Sequence, residues 1–121
     1  MINYYRGDNV LNISYEFRKG ILFIRLIGEL TKDTSLKLEK EITDMIKDNE
    51  ITNVVFNVSK LISIDETGMN NLLKNFKLCK KNNGLALLCG VNNQVLAFTK
   101  NKNLKENIID NELSAFRKIV I

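Results

Sequence analysis

The order of elements in this sequence predicts an α/β fold: a mixed, mostly parallel sheet with helices packed on it, in the order ββαβαβαβα. Three observations carry that reading. Two strand patterns near the start are separated only by Arg18-Lys19-Gly20, which makes them a hairpin. The later strand patterns each hand over to a stretch with helical spacing, so the strands that follow are joined by crossovers. Val54-Val55-Phe56-Asn57-Val58 and Leu85 to Cys89 are short apolar runs of the kind found in buried strands.

Taken in order, Leu11, Ile13, Tyr15 and Phe17 alternate with polar residues and predict a half-buried strand. Ile21 to Ile27 is nearly apolar throughout and forms the second strand, after which Gly28-Glu29-Leu30-Thr31 is expected to leave the sheet. Thr31, Asp33 and Thr34 are each able to cap the next helix. Its apolar face is Leu38, Ile42, Met45 and Ile46, and it ends near Asp48-Asn49. Ile51 to Val58 is the third strand. Met69, Leu72, Leu73 and Phe76 recur at helical spacing, so a helix runs from Glu66 to Lys81. Asn82-Asn83-Gly84 stops it, with Asn or Gly in the left-handed cap.

Leu85 to Cys89 is the fourth strand, and Asn92 or Asn93 caps a short helix to Lys100. Leu104 to Ile109 contains a weak last strand at an edge. Asn111 to Ile121 reads as a helix with Leu113, Phe116 and Val120 turned inward, although Ile119-Val120-Ile121 also fits a strand. No repeat, low-complexity linker or second core pattern divides the chain. Residues 1–121 are therefore expected to form one domain, with 1–9 loosely held.

Composition narrows the function. Hydrophobic residues make up 45% and charged residues 26% of the 121 positions, as in soluble globular proteins. No apolar run is long enough to span a bilayer, and no signal-peptide core is present, so a cytoplasmic protein without membrane insertion is expected. There are two cysteines, Cys79 and Cys89, and no histidine. Cys79 falls in a predicted helix and Cys89 at a strand end, and both are expected to be buried, reduced thiols rather than a disulfide or metal site.

The net charge of +4 is uneven. Residues 1–66 hold 9 Lys/Arg against 11 Asp/Glu, and residues 67–121 hold 9 against 3. Such asymmetry suits an interaction surface. Lys74, Lys77 and Lys81 share one helical stripe opposite the apolar one, which reads as a solvated face. The stripe lacks the aromatics and arginines that nucleic-acid binding would interleave with charge. Signatures of catalysis are missing too: no Gly-x-Ser-x-Gly elbow, Walker A loop or dinucleotide fingerprint. The chain is read as a non-enzyme with no cofactor and no metal.

Ser63-Ile64-Asp65-Glu66-Thr67-Gly68-Met69 is the stretch around which the rest is organised. It lies where a central strand passes into a helix, at the carboxyl edge of the sheet, where ligands and partners bind in α/β folds. Asp65 can cap the helix. Glu66 and Thr67 then fall in the first turn, where free N–H groups and the macrodipole favour negative charge. Gly68 keeps the surface low for close approach. By themselves, acidic residues at a helix start are usually only capping chemistry.

The placement of Gly28-Glu29-Leu30 after the second strand, and of Asp65-x-Thr67-Gly68-Met69 at the head of the helix after the third, resembles a STAS domain. The nearest branch is the bacterial anti-sigma factor antagonists, and the similarity runs from Asn12 to Val120. The resemblance implies a non-enzymatic regulatory module that binds an anti-sigma factor, typically a protein kinase, and so frees a sigma factor. Thr31, Asp65, Glu66, Thr67, Gly68 and Met69 would form the partner-binding surface. In that family the residue after the Asp is a Ser or Thr that the kinase phosphorylates. Here it is Glu66, and the next hydroxyl is Thr67. Thr31 stands where the family often has Asp.

Two expectations follow for Glu66. It either mimics a phosphorylated residue, with one negative charge in place of about −1.5 to −2, or belongs to a fixed recognition surface, and Thr67 is the alternative acceptor. The chain is expected to be a monomer or weak dimer. Rival readings are a STAS module serving as a scaffold in a stress-signalling assembly or as a transporter accessory subunit, and a small nucleotide-binding protein.

Overall fold

The computed structural model describes residues 10–99 and 102–119. Among the described residues five strands form one sheet, in the spatial order β1 (Leu11–Arg18), β2 (Ile21–Leu30), β3 (Asn53–Ile64), β4 (Ala86–Cys89), β5 (Ile108–Ile109). The β1–β2 pair is antiparallel, in register from Leu11↔Gly28 to Arg18↔Ile21. Lys19 and Gly20 take positive φ, 52° and 81°, the twist a two-residue hairpin needs. The remaining neighbours, β2–β3, β3–β4 and β4–β5, are parallel. The ββαβαβαβα order and the mixed, mostly parallel sheet are as the sequence predicts.

The helical connections are α1, α2 (Glu66–Lys81), α3 (Asn93–Thr99) and α4 (Glu112–Ile119). α1 is built from Ser35–Leu38, a π-helical turn Glu39–Thr43 and Asp44–Asp48. Its buried residues Leu38, Ile42 and Ile46 recur every fourth position. In a strict α-helix that spacing drifts around the axis, and one wider turn holds the three on the same side.

One core lies between the sheet and α1, α2 and α3. There Leu38, Ile42, Ile46, Met69, Leu72, Phe76 and Val95 meet Leu22, Ile24, Leu26, Val54, Phe56 and Val58. On the opposite face α4 sets Ala115, Phe116 and Ile119 against Ile21, Phe23, Val55, Leu87 and Cys89. Central strands covered on both faces need apolar residues at successive positions, which is why their sequences read as continuous runs. Phe56 is fully buried and stacks on Phe76 at 6.2 Å.

α2 ends as expected, with a division of labour between the two candidate residues. Asn83 takes the left-handed conformation, φ 63°. The Gly84 and Asn83 N–H groups donate to the Cys79 and Lys80 carbonyls at 2.8 and 3.0 Å, a Schellman pair.

Several expectations are corrected. β2 stays in the sheet through Leu30 and β3 runs on to Ile64 rather than stopping at Val58. Register shifts at Arg25/Ile27 and Gly28/Glu29 let the pair continue past the exposed Ser59 and Lys60. Burial fades along β1: Leu11 is inside, but Tyr15 and Phe17 are 51% and 60% exposed. Leu113 is 71% exposed, not inward, because α4 is phased by Ala115, Phe116 and Ile119. Val120, Ile121 and residues 1–9 lie outside the described residues.

Candidate functional site

β2 and β3 are parallel neighbours, so their carboxyl ends emerge together, with Glu29 opposite Ser63 and Leu30 opposite Ile64. One chain end turns at Thr31 and the other at Asp65. The Ser63 hydroxyl donates to Glu29 Oε1 at 2.9 Å across the two strands.

Asp65 fastens the junction. Its backbone is extended, φ −116° and ψ 179°, and its Oδ1 accepts from the Gly68 N–H at 2.7 Å, an N-cap. Its other oxygen, Oδ2, accepts from the Lys32 N–H at 3.0 Å, in the loop that leaves β2. The Asp65 N–H donates to the Leu30 carbonyl at 3.2 Å. One carboxylate thus holds the start of α2 and the β2–α1 loop in fixed relation.

Thr31 orders that loop. Its carbonyl accepts from the Ser35 N–H at 2.8 Å and the Ser35 hydroxyl at 2.6 Å, and its own hydroxyl accepts from the Asp33 N–H at 3.3 Å. Of the three candidate caps, Thr31 therefore supplies the turn-starting oxygen. Thr34 is buried, and its hydroxyl donates to the Glu29 carbonyl at 2.7 Å.

Glu66 and Thr67 are exposed in the first turn of α2. Glu66 Oε1 accepts from the Lys102 ammonium at 2.8 Å, and the same ammonium lies 3.5 Å from Asn70 Oδ1. Lys102 follows α3, so this ion pair ties a distant segment to the head of α2.

Gly68 and Met69 are buried. A Cβ on Gly68 would lie 2.0 Å from the Leu30 carbonyl oxygen, so the close approach it permits is that of the chain's own β2 strand. Met69 is fully enclosed in the core. Neither presents a side chain at the surface of the free chain. The acidic-turn motif marks a packing position as well as a surface.

The site includes features the sequence did not single out. Lys102 is one, set 36 positions after Glu66 in a segment without periodic signal. The Lys32 amide is another. Ile62, three residues before Asp65, is 68% exposed, an apolar side chain left on the surface near the end of β3.

The chemistry available is recognition. A carboxylate and a hydroxyl stand side by side at a helix N-terminus, with a lysine braced against the carboxylate. Among the described residues no three His, Cys, Asp or Glu side chains gather as a metal site. Cys79 and Cys89 are buried, and burial pushes their thiols up to about 12 and about 11.

A family model for STAS domains matches residues 12–116. An anti-sigma F factor antagonist from Paenibacillus polymyxa is 27% identical over 113 residues, covering 92% of this chain and 97% of that protein. A Thermotoga maritima protein solved as a candidate anti-sigma factor antagonist superposes with a TM-score of 0.83 at 17% identity, covering 90% of this chain and 95% of its own. The Bacillus cell fate determinant SpoIIAA, solved in its phosphorylated form, has a TM-score of 0.76 at 19% identity, covering 88% and 98%. The last two likenesses show the fold. The family match spans nearly all of the sheet and every helix from α1 into α4, and on that ground the chain belongs to the STAS domain family.

Proposed function

We propose that this chain is an anti-sigma factor antagonist, a non-enzymatic module whose partner is an anti-sigma factor of the kinase-like type. The recognition surface is the junction of the two loops: Thr31 to Asp33 on one side, Glu66 and Thr67 on the other, with Ile62 as an apolar anchor near the end of β3. Asp65 and Gly68 position this surface rather than touch the partner, and Met69 roots it in the core. The single observation that carries the reading is the Asp65 carboxylate, which accepts from Gly68 and Lys32 at once and so presents both loops as one preformed face. Preorganisation of that kind lowers the cost of binding.

Of the two readings of Glu66, the Lys102 ion pair at 2.8 Å supports the fixed recognition surface. Lys102 pairs with the exposed carboxylate and offsets its charge, so an incoming partner meets a partly neutralised acceptor rather than a repelling dianion. Control by phosphate at the position after Asp65 is then absent from this chain, and Thr67 is a contact residue.

The test is calorimetric titration of the purified chain with the anti-sigma factor of the same cell, followed by incubation with that partner and ATP and measurement of intact mass. Saturable one-to-one binding and an unchanged mass are expected. Absence of binding overturns the antagonist assignment, and phosphate on Thr67 overturns the absence of a phosphate switch.

A further inference from the structure

A groove of about 870 Å³ runs along α2, reaching at one end Asn70 and Lys102 near the acidic turn. That volume falls in the range of sites that take a small ligand. One wall is the flank of α2, and the other is the start of β4 together with Leu104 and Asn107. Its floor is apolar, formed by Leu73, Phe76, Leu85 and Leu104. Its rim carries Lys74, Lys77, Lys80 and Lys102, and none of its lining residues is acidic. Lys77 and Lys80 have no carboxylate partner among the described residues, whereas Lys74 and Lys102 pair with Glu39 and Glu66. Two of the lysines read from the sequence as a solvated stripe therefore border an apolar trough, joined there by Lys80.

Few polar groups line the groove apart from its lysines: Asn70 and Asn107 are the only side-chain amides. The Asn107 amide donates to the Ala86 carbonyl at 2.9 Å, and Asn70 faces Lys102. Phe76 is only 9% exposed, too deep to offer a stacking face. What remains is an apolar body with cations at its edge. We infer that this groove binds a fatty acid, its acyl chain along the partly exposed Leu73 and Leu85 and its carboxylate between the rim lysines. Lys102 borders both this groove and Glu66, so an occupied groove offers that ammonium a second carboxylate.

The test needs no partner protein, so its outcome is independent of the antagonist assignment. Sodium decanoate is titrated into the ¹⁵N-labelled chain, with decyltrimethylammonium and acetate as matched probes. Saturable amide shifts confined to α2, the start of β4 and residues 102–107 are expected with decanoate alone. The Lys77→Gln/Lys80→Gln double variant should bind decanoate about tenfold more weakly, as two partly exposed ion pairs would give. Leu73→Glu should abolish saturable binding. Should Leu73→Glu fail to fold, the lysine variant decides, since its changes are at exposed positions. No saturable shift, equal response to decyltrimethylammonium or to acetate, shifts elsewhere on the molecule, or an unchanged lysine variant would each overturn the proposal.

Discussion

Removing the Asp65 carboxylate should release two loops at once, and the structure allows the loss to be divided. Its bond to the Gly68 N–H, 2.7 Å, is a helix cap, and replacing such a cap by Ala costs about 1 kcal/mol, with extremes of about 0.5 and 2. Its bond to the Lys32 N–H, 3.0 Å, is exposed. Water replaces part of it, so about 0.5–1 kcal/mol is lost there. Asp65→Ala therefore loses about 2 kcal/mol in all, which in a chain this size lowers Tm by about 8 °C. Asp65→Asn keeps one acceptor oxygen for the cap and turns an amide toward Lys32. It should lose only the second part, about 3 °C. Thermal melts by circular dichroism measure both. Equal losses in the two variants, or an Ala variant within about 0.5 kcal/mol of wild type, would refute the double-tether argument.

Gly68→Ala should destabilise by at least about 2 kcal/mol in chemical denaturation, because its Cβ would meet the Leu30 backbone oxygen at 2.0 Å and backbone cannot swing aside. Glu112 is held below the usual carboxylate range by the Arg25 guanidinium, 2.7 and 2.9 Å away, with help from Asn57. A depressed carboxylate contributes stability that is complete above its unfolded pKa and is lost as pH falls through its folded value. Wild type should accordingly lose more stability than Glu112→Gln below about pH 4.5 in paired acid titrations. Cys79 and Cys89 should resist thiol reagents in the native protein at pH 8 and react once it is denatured, since burial pushes both thiols up to about 12 and about 11.

Much of this molecule was legible in its sequence where one local signal agreed with the next. The run Val54 to Val58, the cap at Asp65 and the spacing of Met69, Leu72 and Phe76 each pointed to a buried strand handing over to a helix. Strand ends were less legible. Ser59 and Lys60 look like the close of a strand, yet parallel pairing with β2 through two register shifts carries β3 to Ile64. In α4 the inward Phe116 was read correctly, but Leu113, three residues before it, is exposed. What favours the observed phase is Glu112, whose bonds to Arg25 and Asn57 pin the start of the helix to the sheet.

The site divides in the same way. The Asp65 cap could be read because capping is a local interaction. Lys102 could not, because its pairing with Glu66 is made by tertiary approach over 36 positions. The inward packing of Gly68 and Met69 was not legible, because a motif's letters do not say which of its residues face inward. Their burial against Leu30 and the core does.

The central claim is that Glu66 is part of a fixed surface that an anti-sigma factor recognises. The affinity of the Glu66→Ser variant for that partner, set beside the wild type in one titration series, tests it most directly. A hydrogen bond to a charged group is worth about 1.5–3 kcal/mol, so the variant should bind roughly 10- to 100-fold more weakly. Tighter binding by Glu66→Ser would contradict the account, because it would mean that the carboxylate repels the partner as a permanent substitute for phosphate.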